Sequence, residues 1–148
     1  MSRRQARERA LQVLFQVDLG GVDPKEAFAQ MDEDYGKQAG SEDFTAELVF
    51  GVINNSDFID SIITAISKEW SLDRIANIDR IIMRLALYEV FFCAGIPNNV
   101  SVNEAIELGK MYGGAESGKF INGILGKVIE NIEEYTPKKQ IEQMPDAT

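Results

Sequence analysis

At 148 residues the chain is the size of one domain, because single domains cluster near ~100–150 residues. With 45% hydrophobic residues it can bury a continuous core, and with one cysteine, Cys93, and no histidine it excludes a disulfide scaffold, a zinc ribbon, Ser-His-Asp or Cys-His catalysis and every histidine-based metal site. The net charge is −9, yet residues 1–9 carry Arg3, Arg4, Arg7 and Arg9 against Glu8, a +3 segment on a −12 body, so any phosphate-binding surface must be local.

Ser2 is an N-cap for a first helix that runs to the Gly20-Gly21 stop, with Ala6, Ala10, Val13, Leu14 and Val17 on one face. Arg3 and Arg7 continue that face toward the N-terminus, so the first turns are expected to project beyond the packed body. Cations there oppose the helix dipole at roughly 0.3–1 kcal/mol when exposed. Something other than helix stability therefore places them.

Asp23, Pro24 and Glu26 open a second helix that turns Ala27, Phe28 and Met31 to the core. A loop follows from Gly36 to Gly40. The third helix starts near Ser41 and carries Phe44, Leu48, Val49 and Val52; after Asn54-Asn55-Ser56 the fourth carries Phe58, Ile59, Ile62, Ile63 and Ile66. Trp70 to Arg74 connects to the fifth, Ile78 to Phe92, which is apolar nearly all round and so should be central. Ser101 and Glu104 have capping-box spacing for a sixth helix ending at Tyr112. Past Gly113-Gly114 a seventh begins at Glu116 or Ser117 and presents Phe120, Ile121, Ile124, Leu125, Val128 and Ile132. The tail beyond Pro137 is polar.

No segment alternates as a strand does, so the fold class is all-α: about seven helices, divided by a hinge near 67–77 into two small packed bundles. Residues 1–136 form one domain and 137–148 a polar C-terminal tail. No run approaches the ~20 apolar residues of a membrane span and no apolar segment of a secretory signal follows Met1–Arg9. A cytoplasmic protein is expected.

No phosphate loop, dinucleotide fingerprint, zincin or calcium-loop motif occurs. Glu104 and Glu107 fit a cap and a solvated face. Glu89 is the acid on a strongly apolar face, and a buried carboxylate must be paired. No catalytic constellation, metal site or cofactor follows. The arginine cluster is different, because guanidiniums with Gln12 and Phe15 on the flank combine phosphate forks, an amide and a stacking surface, the parts used on single-stranded RNA. The competing classes are a helical protein-interaction module without RNA binding, a homodimer that hides its RNA face, and an enzyme, for which the sequence offers no site.

Four stretches then carry a resemblance: Arg3-Arg4-Gln5-Ala6-Arg7-Glu8-Arg9 running on to Phe15; Trp70-Ser71-Leu72-Asp73-Arg74 followed by Asp79-Arg80-Ile81-Ile82-Met83-Arg84-Leu85-Ala86-Leu87-Tyr88-Glu89; Val102-Asn103-Glu104-Ala105-Ile106-Glu107-Leu108-Gly109-Lys110; and Ser117-Gly118-Lys119-Phe120-Ile121-Asn122-Gly123-Ile124-Leu125. In this order and spacing, over about residues 3–130, they resemble the NusB family of bacterial transcription antitermination factors. The same module also occurs fused ahead of ribosomal-RNA cytosine methyltransferases; this chain ends where the module ends, which favours the stand-alone factor.

The resemblance implies two packed three-helix bundles, binding to the boxA element of ribosomal-RNA leader transcripts, a heterodimer with NusE, a small-subunit ribosomal protein, and assembly with other antitermination factors on RNA polymerase. It maps RNA contacts onto Arg3, Arg4 and Arg7, onto Gln12 and Phe15, and onto Glu116, Lys119 and Phe120, and the partner face near Asp79 and Arg80. Two departures are Gly109 in place of the usual alanine and Gly126 in place of a common aspartate; the first should cost ~1 kcal/mol of helix propensity.

Overall fold

The computed structural model describes residues 2–35, 43–68 and 71–135. They form seven α-helices: α1 (Arg3–Gly20), α2 (Pro24–Tyr35), α3 (Asp43–Asn54), α4 (Ser56–Ile66), α5 (Asn77–Phe92), α6 (Asn98–Gly113) and α7 (Ala115–Glu130), with short 3-10 turns at Leu72–Arg74 and Ile132–Tyr135. Among the described residues there is no strand, and no single helix is long and apolar enough to cross a membrane. The Gly36–Gly40 loop, the Ser41 start, Trp70 and the tail from Pro137 lie outside the described residues.

Local chemistry sets the helix ends. Ser2 Oγ accepts from the Gln5 amide at 3.1 Å while Gln5 Oε1 accepts from the Ser2 amide at 3.0 Å, a reciprocal cap on two otherwise orphaned donors. Gly21 stops α1 at φ +64°, a left-handed conformation that glycine adopts without a Cβ clash. Asp23 Oδ1 accepts from the Lys25 amide at 2.8 Å at the start of α2.

The central element is α5, as its all-round apolar character requires. Ile81, Ile82, Met83, Leu85, Ala86 and Leu87 are all buried along it, and it packs against α1, α3, α4, α6 and α7. Helices α1, α2 and α3 gather on one side and α6 and α7 on the other, while α4 reaches both α5 and α7. One apolar core, from Ala10 through Leu48 and Ile82 to Val128, runs across both groups. Fully burying one such aliphatic side chain is worth roughly 1.5–3 kcal/mol, so the two bundles share their main source of stability.

Two expectations fail here. The first turns of α1 do not project: Arg7 is only 3% exposed, because a carboxylate waits for it in the core. Nor does Ser101 cap α6. That helix begins three residues earlier, with extended Pro97 as its N-cap residue, and Ser101, a full turn inside, donates to Glu89 Oε1 at 2.9 Å. Glu104, expected to reach back to the cap, instead receives Arg4.

The α6–α7 pair packs closely at two glycines. A Cβ on Gly109 would stand 2.6 Å from Ile121 Cδ1, and one on Gly118 would stand 2.8 Å from Lys110 Cγ. Gly109 is therefore explained by packing against α7. Gly126 has nothing within 4 Å of such a Cβ, so packing gives it no reason to be glycine.

Candidate nucleic-acid interface

The arginine-rich start of α1 divides into three environments. Arg7 enters the core, where its Nε and Nη2 donate to Glu89 Oε2 and Oε1 at 2.8 and 2.7 Å. Burial pulls the Arg7 guanidinium down, and the hydrogen bonds and charge of Glu89 outweigh it, leaving the group above its ordinary value and always charged. Arg4 lies at the surface and forks onto Glu104 at 2.9 and 3.1 Å, which raises its value by hydrogen bonding and then by charge. Arg3 is exposed, with its guanidinium carbon 5.3 Å from the centre of the Phe44 ring, and Arg7 stands 5.7 Å from the same ring. Of the three arginines mapped to RNA, Arg3 and Arg4 therefore offer donors to solvent, whereas Arg7 is spent inside the fold.

Further along α1, half-buried Gln12 and exposed Phe15 line a groove of about 490 Å³ with Leu11, Met31, Ile78 and Tyr112. The groove is mainly apolar, and Phe15, Leu19, Met111 and Tyr112 are large apolar side chains left exposed at the surface.

At the start of α7 the chain turns through Gly114 at φ +96°, and the Gly109 and Gly118 contacts seat the helix tightly on α6. That turn projects Glu116 and Lys119, which face each other at 3.9 Å and are both exposed. Phe120 is half-buried and stands between two hollows. On one side a groove of about 430 Å³ is lined by Lys68, Lys119 and Lys127 with Ile66, Gly123 and Ile124. On the other a smaller hollow of about 190 Å³ is lined by Arg74, Ile75, Ala76, Asp79 and Phe120.

Asp79 and Arg80, mapped near the partner face, present little charge to solvent. Asp79 is 7% exposed, and among the described residues its buried Oδ1 has no hydrogen-bond partner. Arg80 donates to Asp18 Oδ2 at 3.1 Å, Asn77 Oδ1 at 2.7 Å and the Leu72 carbonyl at 3.2 Å. Neighbouring Arg84 forks onto Asp60 at 2.8 and 3.0 Å and reaches Asp18 at 3.3 Å. Burial lowers Arg84 and Asp60 more than restores it. This cluster joins α1, α4 and α5. The sequence signal for it was the i, i+4 spacing of Arg80 and Arg84 on an otherwise apolar helix; its acidic partners on α1 and α4 had no local mark.

Cys93 and Tyr88 both donate to Glu47 Oε2, at 3.4 and 3.2 Å. Burial first and Glu47 second push the thiol up to about 12 and the phenol to about 12. A thiol in that state is a poor nucleophile.

The interface thus links two regions far apart in sequence. Ile78 faces the groove of Gln12 and Phe15, and the next residue, Asp79, lines the hollow of Phe120. The first turn of α5 is the divide between them.

Comparison with known proteins agrees with the resemblance. Residues 4–130 match the NusB family. A transcription antitermination protein NusB from Pelotomaculum thermopropionicum is 61% identical over 137 residues, covering 93% of this chain and 95% of that one. The structure of NusB from T. maritima superposes with a TM-score of 0.79 at 35% identity, covering 96% of this chain and 98% of that one. A chain in the crystal structure of antitermination factors NusB and NusE in complex with dsRNA superposes with a TM-score of 0.76 at 30% identity, covering 87% and 96%.

Proposed function

The chain belongs to the NusB family of transcription antitermination proteins, and from that premise we propose that it binds single-stranded boxA RNA of ribosomal-RNA leader transcripts jointly with NusE and so joins the elongating RNA polymerase. It acts in the cytoplasm, by assembly and not by chemistry, holding RNA and protein together near the polymerase at high effective concentration.

The observation that carries this reading is the adjacency at the first turn of α5. RNA following the lysines and Phe120 of α7 comes within one residue of the groove that holds Gln12 and Phe15. A half-buried aromatic between two hollows suits unpaired bases, which stack on such rings, better than a duplex whose bases are already stacked. Arg3 and Arg4 supply phosphate donors, and Glu116 limits the positive field near Lys119. Arg7 serves the same surface indirectly, by fixing α1 to α5.

The apolar groove with Phe15, Ile78 and Tyr112 is the place for the partner. Exposed apolar side chains gathered around one hollow mark a protein contact more than a phosphate contact, and the groove abuts the Asp79–Arg80 turn to which the partner face maps. A basic ribosomal protein also suits the acidic body by charge.

Titration of a short boxA-like single strand, and of the corresponding duplex, with and without NusE at two salt concentrations tests the proposal. Tighter binding of the single strand, strengthened by NusE and weakened by salt, is expected. Absence of RNA binding in both the presence and the absence of NusE returns the chain to a protein-interaction module.

A further inference from the structure

We infer that Phe44, which lies outside the arginine-rich motif and outside every mapped contact, is a positioning residue of the RNA interface. Its ring holds the Arg3 guanidinium ready for a phosphate without taking up its charge or its donors. The inference rests on the RNA-binding reading above and adds the start of α3 to an interface otherwise built from α1 and α7.

Arg3, Arg4 and Arg7 reach three different helices. Arg7 forks onto Glu89 of α5 at 2.8 and 2.7 Å, and Arg4 onto Glu104 of α6 at 2.9 and 3.1 Å. Arg3 lies over Phe44 of α3, its guanidinium carbon 5.3 Å from the ring centre. The partners differ in what they leave available. Each carboxylate takes Nε and an Nη donor and offsets the positive charge. A ring offers no lone pair and no charge, because the attraction is between the cation and the negative face of the π-system. Arg3 has no hydrogen bond or ion pair among the described residues, so its charge and its N–H donors remain for phosphate oxygens.

The ring is itself fixed. Thr45, next in sequence and fully buried, donates from Oγ1 to the Ala6 carbonyl at 3.3 Å. That bond sets the register of α3 on α1 opposite the turn that carries Arg3 and Arg7. Phe44 is half-buried and packs against the core, and the buried Arg7 guanidinium stands 5.7 Å from the same ring centre. Phe44 is thus seated between a guanidinium tied to the core and one that faces solvent. An arginine that grips a phosphate gives up rotamer freedom, and ordering it before the RNA arrives removes part of that cost. A cation–ring attraction at an exposed site corresponds to about two- to five-fold in an equilibrium constant, which sets the size of the effect.

A double-mutant cycle on the full chain, with a labelled boxA-like single strand at one salt concentration, tests this. Phe44→Leu keeps an apolar side chain and removes the ring; it is expected to weaken binding about two- to five-fold. Phe44→Tyr keeps the ring and is expected to bind as the parent does. Beside Arg3→Ala, Phe44→Leu is expected to change nothing further, whereas beside Arg4→Ala it keeps its full effect. A residue that served only the fold would weaken binding in both backgrounds alike. Unchanged affinity in folded Phe44→Leu overturns the inference, and so does a loss that persists beside Arg3→Ala or an equal loss in Phe44→Tyr. Should Phe44→Leu fail to fold, NMR of the parent protein without RNA decides. The ring current of Phe44 is expected to shift the Arg3 δ and ε protons upfield, and random-coil positions for them overturn the inference. Absence of RNA binding by the parent, with or without NusE, overturns the RNA reading itself, an outcome distinct from binding that ignores Phe44.

Discussion

Arg7 and Glu89, 82 positions apart, meet in two parallel hydrogen bonds of 2.8 and 2.7 Å, and Ser101 adds a third to the same carboxylate at 2.9 Å. The three residues come from α1, α5 and α6, so one buried ion pair fastens the first bundle to the second. A residue placed in an RNA-contacting cluster by its sequence neighbourhood proves to be the anchor of the helix that carries the cluster.

Removing one partner of that pair should be costly. Glu89→Ala or Arg7→Ala leaves an opposite charge buried and uncompensated, which destabilises a fold by about 3–5 kcal/mol; replacing both with apolar residues of similar volume should cost much less. Urea unfolding of the two single variants and the double variant measures this. A single-variant loss below about 1 kcal/mol would show that the pair is not the fastening it is described as.

The need for such a pair was legible, since Glu89 stood alone among apolar residues of a central helix and a buried carboxylate requires a partner. Which residue supplied it was not, because Arg7 is distant in sequence and looked like one of four solvent-seeking arginines. The helices were legible from 3.6-residue periodicity and glycine stops. Ser101 misled because capping-box spacing is a local pattern, whereas its hydroxyl was claimed by a carboxylate on another helix. The two hollows beside Phe120 left no local sequence pattern: Lys68 joins Lys119 and Lys127 in one, and Asp79 joins Phe120 in the other, only after the end of α4 and the start of α5 pack against α7.

Glycine substitutions should separate packing from propensity. Gly126→Ala meets open space and should stabilise the helix by up to about 1 kcal/mol. Gly109→Ala gains the same propensity but drives a methyl to 2.6 Å from the fully buried Ile121, and overpacking of that kind costs about 1–3 kcal/mol. Thermal melts should move in opposite directions; a rise for both variants would mean that α6 and α7 separate easily.

Cys93 should be slow to react. With its thiol pushed up to about 12, little thiolate exists at pH 8, and alkylation by iodoacetamide should run at least about ten-fold slower than for an unfolded cysteine at its ordinary value of 9.0. Glu47→Gln should speed it. The sign for stability follows: a folded state that favours neutral Cys93 and Tyr88 keeps that contribution below their ordinary values of 9.0 and 10.0 and loses it as pH rises toward about 12. Unfolding midpoints should therefore fall above pH 9, and less steeply in the Glu47→Gln variant.

Arg3→Ala and Arg4→Ala should each weaken RNA binding and reduce the salt slope by ~0.7 per phosphate contact on a single strand. Arg3 lies over the Phe44 ring and Arg4 is held by Glu104 at the surface, so neither change opens a hole in the core and helicity should persist. Glu104→Gln offers the opposite case, since it frees Arg4 from its fork. An unaltered slope in both arginine variants would assign RNA binding to the α7 end of the interface alone.

The last prediction concerns the coupling of partner and RNA. Ile78 faces the apolar groove and Asp79 the hollow of Phe120, so a protein docked in the groove and a nucleotide in the hollow press on the same helical turn. Asp79 Oδ1 lies unpaired beneath one site while Arg80 is fixed to Asp18, Asn77 and the Leu72 carbonyl behind it. That turn is thus held rigidly on one side and incomplete on the other. A partner that fills the groove orders Phe15 and Tyr112 and adds its own basic surface beside the RNA path, and RNA binding should then tighten by ~1–3 kcal/mol, about 5–150-fold. Linkage requires the same factor in the partner's affinity when RNA is present. Calorimetry of each pair and of the ternary mixture measures both legs. Tyr112→Asp should abolish the enhancement while leaving the weak RNA affinity of the isolated protein, because an aspartate on the wall of the groove repels an apolar partner surface without touching the residues mapped to RNA. Equal RNA affinity with and without NusE, at one salt concentration and with both proteins folded, would leave two independent sites on one helical scaffold and remove the assembly mechanism.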